Sequence, residues 1–138
     1  MVLGVVIVGH GDLPMTFRTV IEQMIGMQSA LECVSYMIGD DMERLRTTIA
    51  NAIAHVDCGH GVVIVTDMFG GAPSNIAISV AQGKNIEVIS GVNLPMLIKL
   101  LTSRELIAAD KCILESRNIG QKNIYILSEL LGLVDTQF

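Results

Sequence analysis

Residues 2–14 read VLGVVIVGHGDLP. The first seven, 2–8, form a valine-rich apolar run without a polar residue, the pattern of a strand buried on both faces. The run ends in a histidine flanked by glycines, His10. Pro14 follows, placed to open a helix. Beyond it Phe17, Val20, Ile21, Met24 and Ile25 fall on one helical face, and Gly26 is positioned to cap it. A doubly buried strand feeding directly into a helix is half of a crossover unit, and such units build parallel sheets.

The same alternation continues along the chain. Residues 31–37 (LECVSYM) read as a second strand, and GDD at 39–41 supplies a helix N-cap. Met42, Leu45, Ile49, Ala52, Ile53 and Val56 mark the next helical stripe, which DCGHG at 57–61 breaks. VVIVTD at 62–67 is another doubly buried strand, and MFGGAPSN at 68–75 turns into a helix over 75–82. IEVIS at 86–90 is a strand; GVNLP at 91–95 turns into a helix over 96–102. Residues 104–118 read as helix, with Gly120 as its stop. NIYIL at 123–127 is the candidate final strand, ahead of a short C-terminal helix. The pattern predicts a single α/β domain over 1–138, with a flavodoxin-like, mostly parallel sheet and helices on both faces.

Composition narrows the function classes. The 138 residues carry a formal charge of −5, 4% aromatics and no tryptophan, which argues against stacking bases or neutralising phosphates of a nucleic acid. No apolar stretch approaches the ~20 residues that span a bilayer. The N-terminus lacks a basic region and a small-residue cleavage site, so it does not read as a signal peptide. Three separated cysteines, Cys33, Cys58 and Cys112, read as free thiols of a reducing compartment, and the cytoplasm is the expected location. Cys58 and His60 in one turn are too few ligands for a metal site, and no cofactor is expected. His55 falls on the outer face of its helix.

In doubly wound sheets, ligands collect at the carboxyl ends of the strands. Three turns have that polarity: GHGDLP, TDMFGGAPSN and SGVNLP. His10 belongs to the first and Asp67 to the second. If their strands are neighbours, a carboxylate on one ring nitrogen fixes the imidazole's tautomer and orientation and leaves the other nitrogen as a nucleophile or base. Attack on phosphorus would give a phosphohistidine. Backbone N–H groups of the two glycine-rich turns, each opening a helix, can hold phosphoryl oxygens. Each residue also has a structural reading: a turn histidine, a capping aspartate, a plain GGAP turn. No GxGxxG, no phosphate-loop lysine and no GxSxG elbow is present.

The segments VIVGHGDLP, VVIVTDMFGGAPSN and EVISGVNLPML resemble the enzyme IIA component of the mannose-family sugar phosphotransferase system, in order and spacing, up to about residue 102. The resemblance implies that His10 is phosphorylated by the histidine phosphocarrier protein and passes the group to a IIB partner, with Asp67 orienting it. It implies phosphoryl binding by Gly11, Gly70, Gly71, Ala72 and Ser74. The implied rim is Gly9, Asp12, Met68, Phe69, Asn93 and Pro95, the last two in the third turn with Gly91 and Val92. Ala72 stands where many relatives carry a hydroxyl residue. The resemblance also implies a homodimer exchanging a C-terminal antiparallel strand, for which NIYIL is the candidate, and only indirect membrane association through IIC and IID components.

Other readings keep part of this. The sequence ends soon after the IIA-like stretch, which fits a free-standing regulatory IIA of an incomplete relay. The phosphocarrier subunit of dihydroxyacetone kinase also resembles this fold, although GVNLPM favours the mannose type. A flavodoxin-like module binding a small phosphorylated ligand would make His10 a passive contact.

Overall fold

The computed structural model describes residues 2–132; Met1 and residues 133–138 of the expected domain lie outside them. The elements run β1 (Gly4–His10), α1 (Leu13–Ile25), β2 (Leu31–Tyr36), α2 (Met42–Val56), β3 (Val62–Thr66), α3 (Ala72–Ala81), β4 (Ile86–Ser90), α4 (Leu94–Ser103), α5 (Ala109–Lys122) and α6 (Leu127–Leu130). The four strands form one parallel sheet in the order β2-β1-β3-β4. The order reverses between β1 and β3, as the sequence pattern predicts for a doubly wound fold.

Alternate residues of each strand feed two separate cores. Val5, Ile7, Val63 and Val65 face α1, α4 and α5, where Ile21, Leu97, Leu100 and Cys112 complete one cluster. Val6, Val8, Val34 and Ile64 face α2 and α3, where Leu45, Ile49, Val56 and Ala77 complete the other. Val5, Val6, Val8, Val63, Ile64 and Val65 are fully buried. At roughly 1.5–3 kcal/mol per buried aliphatic side chain, β1 and β3 dominate the stability of the sheet.

The amino ends of the strands are tied by a buried arginine. Arg104, at the end of α4, is 5% exposed and donates to the carbonyls of Leu3, Ala30 and Ser29. Ala30 holds a left-handed backbone, φ +49°, unusual for a residue with a Cβ. Its carbonyl also accepts the Val5 N–H, so two hydrogen bonds hold the strained turn in place.

Several boundaries differ from the sequence reading. β1 runs through His10, because Tyr36 continues the ladder opposite it; His10 is a strand residue and not part of the turn. α3 and α4 begin earlier, at Ala72 and Leu94, with their prolines at the second helical position. Residues 104–108 form a turn, with the Leu106 and Ile107 N–H groups both returning to Ser103. Gly120 does not stop α5. It lies buried within the helix, where a Cβ would come 3.0 Å from Met96 Cβ, so it is a notch for α4. NIYIL forms no strand in this chain: Asn123 caps α5, and Ile124, Tyr125 and Ile126 precede α6 with exposed side chains. A strand exists only by pairing, and the free edge of β4 is not taken up by this segment within the single chain. Among the described residues, no helix is long and apolar enough to cross a membrane.

Candidate active site

The adjacency of β1 and β3 brings His10 and Asp67 together. Val8 is aligned with Thr66, so the next residues, Gly9 and Asp67, come side by side just as β3 ends. Gly9 has no Cβ, and the Asp67 carboxylate fills that space: a Cβ at Gly9 would lie 3.0 Å from Oδ2. From there Oδ2 accepts the His10 backbone N–H at 2.8 Å and lies 2.8 Å from His10 Nδ1. Oδ1 accepts the Met68 N–H at 2.9 Å. Burial pushes the Asp67 carboxyl up, but its hydrogen bonds to the His10 backbone and ring and to Met68 outweigh this and hold it below the ordinary carboxylate value. In the neutral imidazole an ionised Asp67 favours the tautomer with its proton on Nδ1, which leaves the lone pair on Nε2.

That nitrogen faces the start of α3. A Cβ at Gly71 would lie 3.1 Å from His10 Cε1 and 3.4 Å from Nε2, so a glycine is needed for the helix end to approach the ring. Gly71 is the N-cap of α3. The N–H groups of Ala72 and Ser74 occupy its first turn, where the helix itself offers no acceptor and its dipole favours an anion.

The other expected phosphoryl ligands have different roles. The Gly70 N–H is donated to Ser74 Oγ at 2.9 Å, and Ser74 Oγ donates to Gly71 O at 3.1 Å. Ser74 is fully buried and works as a staple across the turn, with Gly70 at φ +92° completing the bend. The Gly11 N–H is committed to Tyr36 O at 2.8 Å. Ala72 contributes its backbone alone.

On the rim, Met68 and Phe69 are exposed, at 56% and 74%. Asp12 is the N-cap of α1 without a side-chain cap bond, and its carboxylate is exposed. Asn93 faces elsewhere. Its Oδ1 accepts the Met96 N–H and its Nδ2 donates to Gly120 O, so it clasps α4 to α5. Pro95 is the second residue of α4 beside it.

One neighbour escaped the sequence reading. Tyr36 ends β2 opposite His10, and the two rings meet edge to face, centroids 5.7 Å apart at 83°. Its position at a strand's carboxyl end was visible, but it lies outside the glycine-rich turns that drew attention to the site.

A family model described as the PTS system fructose IIA component, the EIIA-man family, matches residues 4–116. The chain is 30% identical over 135 residues to the PTS system fructose-specific EIIA component of Bacillus subtilis, across 97% of this chain and 92% of that protein. It is 31% identical over 106 residues to the PTS system mannose-specific EIIAB component of Escherichia coli, across 76% of this chain and 33% of that longer protein. Phosphotransferase system component EIIA from Streptococcus agalactiae shares the fold, with a TM-score of 0.83 at 23% identity over 92% of this chain and 98% of that one. With most of its length matched by the family model and by a full-length relative, this chain belongs to the mannose-type EIIA family of the phosphotransferase system.

Proposed function

We propose that this chain is a phosphohistidine carrier, and that His10 is the residue that carries the group. The observation that supports it most is the His10–Asp67 pair, with Nδ1 held at 2.8 Å and Nε2 turned toward the N-terminus of α3. In the proposed step the Nε2 lone pair attacks the phosphorus of a donor phosphohistidine. An N–P bond forms at His10 as the donor's N–P bond breaks, and the electron pair leaves with the donor imidazole. Asp67 keeps the Nδ1 proton and balances the positive character the ring gains. The Ala72 N–H, in the first turn of α3, holds a phosphoryl oxygen, so that positioning and fixed dipoles do most of the work. The donor is the histidine phosphocarrier protein and the acceptor a IIB component, in sugar uptake; the curated relatives' names, fructose-specific and mannose-specific, support that setting.

Two further features favour a homodimer. Among the described residues no strand pairs with the outer edge of β4, and Ile124, Tyr125, Ile126, Leu127, Leu130 and Leu131, which follow α5, are all exposed. A second copy that pairs its 123–127 segment with this edge covers both. Light scattering should then give twice the chain mass, and a monomer at micromolar concentration would reject the dimer.

The test of the carrier is direct. The protein is incubated with phosphoenolpyruvate, enzyme I and the histidine phosphocarrier protein, and acid-labile phosphate is measured. Wild type should be labelled and His10→Ala unlabelled, while Asp67→Ala should be labelled slowly on an intact fold. An unlabelled wild type would reject the carrier, and label on His10→Ala would reject the assigned residue.

A further inference from the structure

The Asp67 carboxylate holds the His10 ring at one atom only, Nδ1. A ring pivoted at one atom, with its side chain 37% exposed, can still swing. Two neighbours oppose that motion. β1 lies between β2 and β3, so Tyr36 from β2 and Gly71 after β3 flank the imidazole from opposite sides. Gly71 contributes a backbone surface on which an added Cβ would stand 3.1 Å from the ring's Cε1, tighter than ordinary contact. Tyr36 contributes a perpendicular ring at 5.7 Å, an arrangement that aromatic quadrupoles favour.

Tyr36 is itself well braced. Its backbone pairs with β1, its carbonyl accepts the Gly11 N–H at 2.8 Å, and its side chain packs against the core cluster that contains Val8 and Val34. A wall anchored in the sheet can set the direction of its neighbour.

We propose that Tyr36 is a positioning residue for His10: its ring holds the imidazole in the rotamer that turns Nε2 toward the N-terminus of α3. The inference rests on His10 being the phosphoryl acceptor. Tyr36 touches neither donor nor phosphoryl group in this assignment; it acts through the histidine. It affects the rates of uptake and of release alike, because the same rotamer serves both, and it leaves the phosphorylation equilibrium where it is.

The experiment compares Tyr36→Phe, Tyr36→Leu and Tyr36→Ala with wild type. Initial rates of phosphoryl uptake and return are measured against phosphocarrier concentration, with a thermal melt for each. Aromatic pair energies convert to a rate loss of about 2- to 12-fold for the leucine and alanine variants. The loss should fall on kcat and not on KM, equally in both directions. Tyr36→Phe keeps the ring and should stay within about 2-fold of wild type. Tyr36→Leu refills the core side, so a slow but thermally intact leucine variant separates positioning from packing. A wild-type rate in a folded leucine or alanine variant overturns the proposal. So does a phenylalanine variant as slow as alanine, or a shift in equilibrium. An unlabelled wild type instead removes the carrier reading beneath it.

Discussion

Replacing Gly9 with alanine tests the geometry of the site through a single added methyl group. The new Cβ would stand 3.0 Å from Asp67 Oδ2, 3.1 Å from its Cγ and 3.3 Å from Pro14 Cγ. Ordinary contact begins near 3.4 Å, so the carboxylate must retreat by about 0.4 Å. Oδ2 is the one oxygen that accepts the His10 N–H and faces Nδ1, both at 2.8 Å. The retreat stretches both toward roughly 3.2 Å, the outer edge of good N–H···O geometry. Overpacking of this kind costs about 1–3 kcal/mol, and weakening two bonds to a charged group adds about 1, giving about 2–4 kcal/mol of lost stability. A loss of about 1 kcal/mol in the hold on the ring corresponds to a roughly 5-fold slower phosphoryl uptake. The assay pairs initial uptake rates with denaturant melts of Gly9→Ala, Asp67→Ala and the double variant. Without the carboxylate the methyl's two closest contacts are gone and Pro14 Cγ at 3.3 Å remains, so its penalty should shrink by at least about 1 kcal/mol in the Asp67→Ala background. Wild-type rate and stability in Gly9→Ala, or the same penalty in both backgrounds, would contradict the placement of the Asp67 carboxylate in the space left by Gly9.

Arg104→Met keeps the bulk of the side chain but strips the donors from the carbonyls of Leu3, Ala30 and Ser29; urea melts should show about 2–4 kcal/mol lost, and a loss below about 1 kcal/mol would contradict the clamp. Asp67 titrates below its ordinary value in the fold, so the unfolded chain takes up the proton first. Its stabilisation is complete above about pH 4 and is lost as the pH falls through the lower folded value. Wild type and Asp67→Asn melts should therefore converge on acidification from pH 5 to pH 2, and a constant gap would count against the ionised pair. Burial raises the Cys33 thiol to about 11, leaving roughly one in a thousand ionised at pH 8. Iodoacetamide followed by peptide mass mapping should modify exposed Cys58 well before Cys33, and the reverse order would be inconsistent with the packing around Cys33.

Much of the sheet was legible because its signals are local. Four apolar runs, each followed by a turn with glycine, gave the strands and their parallel sense, and strand-end polarity singled out His10 and Asp67. The misread features depend on partners distant in sequence. Gly120 looks like a helix stop until Met96 is seen against it. Asn93 looks like part of a ligand turn, but its amide binds Gly120, 27 residues away. Tyr36 carries no motif at all, and only the register of β1 with β2 sets it against the histidine.

That His10 is the last residue of β1, and not part of a loop, has a consequence for how the protein fails. β1 is a central strand, packed on both faces and bonded to neighbours on both edges. Such strands belong to the last unit to open in native-state hydrogen exchange. The histidine's own amide, donated to Asp67, should exchange with that unit, on the timescale of whole-molecule unfolding. The proposed phosphoryl acceptor is then carried by the most persistent part of the fold. On warming, the capacity to accept phosphate should vanish together with the sheet and not ahead of it.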